Sequence, residues 1–115
     1  MRAIFSSLKF LMSATDFSSL NLPAEQLAGL DSLGYKQMTA VQAQSLPLIL
    51  QGKDLIAQAK TGSGKTAAFG IGLLQTIQPD FFAVQALIIC PTRELADQVG
   101  KELRRLGRAI PNLKL

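Results

Sequence analysis

Gly62, Gly64, Lys65 and Thr66 close the run Ala59-Lys60-Thr61-Gly62-Ser63-Gly64-Lys65-Thr66, and together they have the chemistry of a triphosphate cradle. A chain that wraps phosphates must turn through backbone angles closed to most residues. It must also bring its N–H groups against the phosphate oxygens, and glycines at 62 and 64 permit both. Lys65 supplies positive charge for the terminal phosphates, and the Thr66 hydroxyl is placed to ligate Mg²⁺ beside them. A helix starting here turns its positive end toward the same anion. These residues predict nucleotide binding and leave open which reaction follows.

The elements that must position this loop are legible around it. Asp54-Leu55-Ile56-Ala57-Gln58 reads as a short apolar strand and Ala67 to Ile77 as a mostly buried helix, giving the order strand, glycine loop, helix. Upstream, Pro23 suits the first turn of a helix through Leu27, Leu30 and Leu33 that stops at Gly34. Thr39 offers a cap to a second helix through Val41, Leu46 and Ile49, kinked or restarted at Pro47 and closed by Gly52. Downstream, Gln78-Pro79-Asp80 form a loop before the apolar run Val84 to Cys90, which predicts a second strand and hence a βαβ unit. Near-continuous apolar strands imply a parallel sheet covered on both faces, joined by right-handed crossovers. Pro91-Thr92-Arg93-Glu94 ends that strand and opens a last helix with the apolar face Leu95, Val99, Leu103 and Leu106. Ile110 to Leu115 reads as the start of a further strand, and the fold class is α/β.

Charge is unevenly placed. The chain carries a net +4, and residues 93–115 hold six bases against three acids. Lys101, Arg104, Arg105 and Arg108 fall at i, i+3, i+4, i+7 on one face of the last helix. A solvated helix face is one reading of this stripe, and contact with a nucleic-acid phosphate backbone is the other.

Composition excludes other chemistries. With 115 residues, 48% hydrophobic and 17% charged, the chain has the make-up of one small packed domain and not of a disordered tail. It has no histidine, which sets aside His-based hydrolase triads and His-containing zinc sites. Cys90 stands alone, without a disulfide partner or metal-ligand spacing, and is expected as a small buried residue at a strand end. Within Met1 to Met12, Lys9 interrupts the apolar stretch and no small-x-small cleavage site follows, so a secretory signal is not expected. No run approaches the roughly 18 apolar residues that span a bilayer, and the expected compartment is the cytoplasm, with no membrane partner. This segment is either a weakly amphipathic helix using Ile4, Leu8 and Leu11, or the product of a start codon upstream of the real one at Met12.

Three separated motifs then fall in a known order. Phe17, Gly34-Tyr35 leading to Gln42, Ala59 to Thr66, and Pro91-Thr92-Arg93-Glu94-Leu95-Ala96 resemble the Q motif with its upstream aromatic, motif I and motif Ia of the DEAD-box ATP-dependent RNA helicases, over residues 16–115. The resemblance implies a RecA-like P-loop parallel sheet with flanking helices, here a truncated first helicase domain. It divides the chain into an N-terminal extension at 1–15, a Q-motif region at 16–43, and an incomplete RecA-like ATP-binding domain at 44–115. It implies ATP and Mg²⁺ as cofactors, held by Phe17 against the base, Gln42 on the adenine edge, and Ala59, Lys60, Thr61, Gly62, Ser63, Gly64, Lys65 and Thr66 around the phosphates. An amide suits adenine because it donates and accepts one hydrogen bond side by side. Lys65 and Thr66 are the residues of the chemical step, with Thr66 on the metal. Pro91, Thr92, Arg93 and Glu94 are the implied contacts to single-stranded RNA, where a helix N-terminus favours anions.

Departures from the family pattern are also present. Met38-Thr39-Ala40-Val41-Gln42 replaces the family's usual Pro-Thr-Pro-Ile-Gln, so two prolines that stiffen the loop are missing. The wording of motif I and of residues 90–99 resembles the bacterial DbpA-type branch, which implies ribosomal RNA as substrate. Downstream of the phosphate loop the chain has no Asp-Glu-Ala-Asp, no coupling Ser-Ala-Thr and no second RecA-like domain with its arginine fingers. Mg²⁺ then lacks an acidic holder, the attacking water lacks a positioning group, and transition-state charge goes unneutralised. These residues alone are therefore expected to be inactive and marginally folded, as the N-terminal part of a helicase. Two other readings stay open: a P-loop protein that is not a helicase, and a non-catalytic RNA-binding or ATP-binding remnant.

Overall fold

Thr39 and Gln42 start the helix against which the phosphate loop is built. In the computed structural model, which describes residues 2–4 and 16–115, Thr39 caps helix α2 (Ala40–Leu50) through a complete capping box. The Thr39 Oγ1 accepts from the Gln42 N–H at 3.4 Å, and the Gln42 Oε1 accepts from the Thr39 N–H at 2.9 Å. Two otherwise orphaned N–H groups are thereby satisfied. Ala40 takes the first helical position, where proline also fits, so the absent prolines leave the cap intact. Pro47 sits inside one continuous helix, and no restart occurs there. Ser45 is buried and donates to the Val41 carbonyl one turn back, which makes its burial tolerable.

Before α2, a single 3₁₀ turn (Phe17–Ser19) and helix α1 (Ala24–Ser32) lead into the cap, and an antiparallel bridge joins Asp16 to Gln37. After α2 come strand β2 (Asp54–Ile56), helix α3 (Lys65–Leu74) and helix α4 (Arg93–Leu106). Strand β1 (Arg2–Ile4) pairs in parallel with β2, in the register Arg2↔Asp54, Ala3↔Leu55, Ile4↔Ile56. Ile4 is therefore in a strand and not in the amphipathic helix expected for the N-terminus, while Leu8 and Leu11 lie outside the described residues.

Phe17, Leu20, Leu22, Leu30, Met38, Leu46, Ala67 and Ile71 form one buried cluster. Residues from the Q-motif region and from the phosphate-loop helix thus share a core, with Leu46 fully buried at its centre. α3 packs closely on both sides because it carries glycine where neighbours arrive. A Cβ on Gly72 would sit 2.1 Å from Ile49 Cγ2, and one on Gly70 2.9 Å from Leu103 Cδ2.

Several expectations need correction. Residues 84–90 lie in no strand, and among the described residues their backbone makes no ladder hydrogen bond. A strand exists only by its neighbours, and β2 pairs with β1 instead. Ala86, Ile88 and Cys90 are half-buried while Leu87 and Ile89 are 78% and 85% exposed, so the period of two survives without the sheet. The βαβ unit is accordingly not closed, and Cys90 is neither at a strand end nor fully buried. Residues 110–115 turn instead of opening a strand, with Asn112 at φ 63°. The strand before the loop is shorter than expected, and the helix after it runs from Lys65 to Leu74 instead of from Ala67 to Ile77. Among the described residues no helix is long and apolar enough to cross a membrane.

Candidate functional site

β2 delivers the chain to residues 57–64, which turn back into α3 through two left-handed glycines, Gly62 at φ 81° and Gly64 at φ 91°. The Ser63 N–H donates to the Lys60 carbonyl at 3.2 Å and closes the turn. Gly64 is the N-cap of α3 and offers no side chain, so no cap competes for the first-turn N–H donors, the partial positive charge an anion would meet. Ser63 Oγ is buried without a hydrogen-bond partner among the described residues. A buried polar atom with no partner calls for one, and a phosphate oxygen in this cradle would serve. The donor set therefore fits a phosphorylated ligand. Lys65 Nζ donates to the Ala59 carbonyl of its own loop, so the ammonium is held over the cradle and must leave that carbonyl to reach a terminal phosphate.

Gln42 is brought directly to this loop. Its Nε2 donates to the Gly64 carbonyl at 3.2 Å, and the residue is only 2% exposed. Phe17 is 3% exposed, within the core, its ring edge-on to Tyr35 at 6.1 Å and 86°. The loop residues Gly62, Gly64, Lys65 and Thr66 line a cleft of about 800 Å³ whose opposite wall includes Ile88, Cys90 and Pro91. Pro91 thus shares a cleft with the loop, while Phe17 and Gln42 sit behind it.

Thr92 caps α4, its Oγ1 accepting from the Leu95 N–H at 3.1 Å. Arg93 and Glu94 follow in the first turn, both exposed. The basic stripe is partly neutralised, because Lys101 pairs with Asp97 at 2.8 Å and Arg105 with Glu102 at 3.2 Å. The hydrogen bond from Lys101 holds the exposed Asp97 carboxyl below the usual carboxylate range. Arg104 and Arg108 remain exposed.

One cluster was invisible in the sequence. The Tyr35 hydroxyl donates to Glu102 Oε1, Arg105 Nη2 donates to the Leu33 carbonyl at 3.1 Å, and the Arg105 guanidinium lies 5.7 Å from the centre of the Tyr35 ring. In the sequence Gly34-Tyr35 is only part of a motif, and no periodicity links it to a carboxylate 67 residues away. Burial, then the hydrogen bond to Glu102 and its negative charge, push the Tyr35 phenol up from 10.0 to about 12. Because the folded value lies above the unfolded one, the stability this group contributes is complete below pH 10 and disappears as pH rises through about 12. With one tyrosine and no tryptophan in the chain, phenolate absorbance reads this titration directly. The expected midpoint is about 12 and should move down toward 10 in Glu102→Gln. An unchanged midpoint in that variant would contradict the contact.

A family profile described as DEAD/DEAH box helicase matches residues 39–115. The chain is 65% identical over 102 residues to the ATP-dependent RNA helicase DbpA of Escherichia coli K12, covering 88% of this chain and 22% of that protein. It is 50% identical over 93 residues to the DEAD-box ATP-dependent RNA helicase CshA of Streptococcus pneumoniae, covering 81% of this chain and 18% of the relative. The chain thus spans about a fifth of the length of these curated relatives. Among solved structures, Saccharomyces cerevisiae Dbp5 bound to RNA and ADP BeF₃ superposes with a TM-score of 0.77 at 34% identity, over 84% of this chain and 25% of that one. The RNA helicase Prp28 of Chaetomium thermophilum bound to ADP gives a TM-score of 0.79 at 37% identity, over 85% and 25%.

Proposed function

This chain belongs to the DEAD/DEAH box helicase family, with a RecA-like fold, and from that premise we propose that it supplies the ATP–Mg²⁺ and single-stranded RNA contacts of an ATP-dependent RNA helicase. One observation carries the reading: Gln42, the residue expected on adenine, is hydrogen-bonded to the N-cap glycine of the phosphate loop. A phosphate loop of some other function has no need of a glutamine gripping it from a separate helix. In the proposal, Lys65 exchanges the Ala59 carbonyl for the terminal phosphates, Thr66 ligates Mg²⁺, and residues 59–64 present backbone donors to the remaining oxygens. ATP–Mg²⁺, when bound, supplies the phosphoanhydride whose cleavage drives RNA remodelling. Gln42 uses one amide hydrogen and one lone pair within the protein and has one of each left for the adenine edge, which it reaches only when the residue, 2% exposed, is uncovered on binding. Base contact by Phe17 requires its ring to be uncovered on binding.

On the RNA side, the proposed contacts are Pro91, Thr92, Arg93 and Glu94, on the exposed N-terminal turn of α4. The likeness to DbpA carries the proposal of ribosomal RNA as substrate, and the cytoplasm is the proposed compartment. Turnover needs an acidic metal holder, a water-positioning group and arginine fingers, none supplied by residues 67–115. These residues are proposed to bind without turning over.

Competition between ATP and GTP tests the reading. The wild-type chain should prefer ATP by about tenfold or more, the worth of one or two net hydrogen bonds. Gln42→Ala should level the two nucleotides. Gln42→Glu, which keeps the capping box but loses the amide donor, should do the same in a folded chain. Equal binding of ATP and GTP by the wild type would contradict the adenine role.

A further inference from the structure

We infer that the groove bounded by α3, α4 and residues 79–86 is a second surface for single-stranded nucleic acid, with bases stacking on Phe82 and phosphates meeting Lys114, Arg104 and Arg108. It is separate from the contacts proposed at Pro91 to Glu94 and does not depend on them. Phe82 is 78% exposed and Phe81 61%, the only exposed aromatic residues among those described, and both line this groove of about 700 Å³. A ring left in water gains nothing from packing and is free to cover another flat apolar face. Lys114 Nζ lies over the Phe82 ring, 5.5 Å from its centre, so a positive charge is already held beside the surface that a base would cover.

Charge selects the ligand. The lining of the groove includes Arg104 and Lys114 and no aspartate or glutamate. Arg104 belongs to the basic stripe of α4, in which Lys101 is paired with Asp97 and Arg105 with Glu102. Arg104 and Arg108 form no ion pair among the described residues, although Arg104 acts on the Asp97 carboxylate at longer range. Arg104 stands in the last turn of the helix, and Arg108 follows Gly107, which lies against Leu113 of the groove lining. Two cations in the groove and a third at its edge favour a polyanion, and the exposed rings favour one that also carries flat apolar faces. Single-stranded nucleic acid has both. Its stacking on an aromatic ring is tolerant of sequence because every base presents a π-face. A duplex keeps those faces within its own stack, and an acidic peptide without aromatic side chains matches the cations but leaves the rings in water.

The experiment follows the anisotropy of a fluorescent oligouridylate titrated with the full chain, without nucleotide, over a salt series. Phe82→Ala should weaken binding by about fivefold or more, the lower end of the worth of one stacked base, and Phe82→Tyr, which keeps a ring, should restore it. Lys114→Gln should lower the slope of log affinity against log salt by about 0.7, one phosphate contact on a single strand. Both side chains are exposed, so the thermal melt of each variant should match the wild type. An oligothymidylate separates the sources of the strand: equal affinity supports a surface for any single strand, and tighter oligouridylate binding supports one for RNA. Binding lost in Arg93→Ala and unchanged in Phe82→Ala overturns the inference and leaves the contacts of Pro91 to Glu94 standing. Binding that falls in Phe82→Ala and survives Arg93→Ala upholds it even where those contacts fail. Polyglutamate held as tightly as the oligonucleotide overturns the choice of ligand, and a folded wild type that binds neither overturns the inference outright.

Discussion

Replacing Lys65 by alanine is expected to weaken ATP–Mg²⁺ binding by about 10- to 150-fold. That range is the worth of a hydrogen bond to a charged group, roughly 1.5–3 kcal/mol, and Lys65 is a charged donor already hydrogen-bonded to a carbonyl of the loop. The fold should be nearly indifferent. The Lys65 ammonium makes one hydrogen bond, to the partly exposed Ala59 carbonyl, and water can replace it. A calorimetric titration beside a thermal melt separates the two effects. Affinity that survives in a folded Lys65→Ala chain would remove the loop from the account.

Gly64→Ala is expected to cost about 3 kcal/mol of stability, against about 1 kcal/mol for Gly62→Ala. Both positions are left-handed, so a side chain at either pays the steric penalty of that region, roughly 1–2 kcal/mol per residue. At Gly62 the added methyl meets nothing within 4 Å. At Gly64 it would lie 2.4 Å from Gln42 Nε2 and 3.1 Å from Thr39 Oγ1, both members of the capping box. Gln42 is buried and cannot swing into solvent, so overpacking adds roughly 1–3 kcal/mol and the box itself is strained. The melting temperature of Gly64→Ala should fall by more than about 10 °C, and that of Gly62→Ala by about 5 °C. Equal melting temperatures for the two variants would show that Gln42 does not press on the loop.

What could be read from the residues was local. Two glycines and a lysine after an apolar triplet specify a loop whose φ angles follow directly, and Thr39 was legible as a helix cap, although the part of Gln42 in the capping box emerged only in the structure. α4 was legible from the spacing of Leu95, Val99, Leu103 and Leu106, of which Val99 and Leu103 are buried, Leu106 is half-buried and Leu95 is 39% exposed at the first turn. What failed depended on partners distant in the chain. Val84 to Cys90 has the composition of a buried strand, but a strand requires a ladder, and Val84 stands 89% exposed without one. The bases on α4 were countable, yet whether each was free depended on Asp97 and on a glutamate shared with Tyr35. The burial of Phe17 and Gln42 likewise follows from α3 closing over α2, which no single stretch of sequence encodes.

The central claim is that this loop binds ATP as part of a helicase that also grips RNA. It is tested most directly by titrating ATP–Mg²⁺ into the chain in the presence of single-stranded RNA while following phosphate release from the same sample. The account predicts one saturable site, weaker for GTP and lost in Lys65→Ala, with no turnover. A chain that circular dichroism shows to be folded, yet that gives no saturable nucleotide binding, would contradict it.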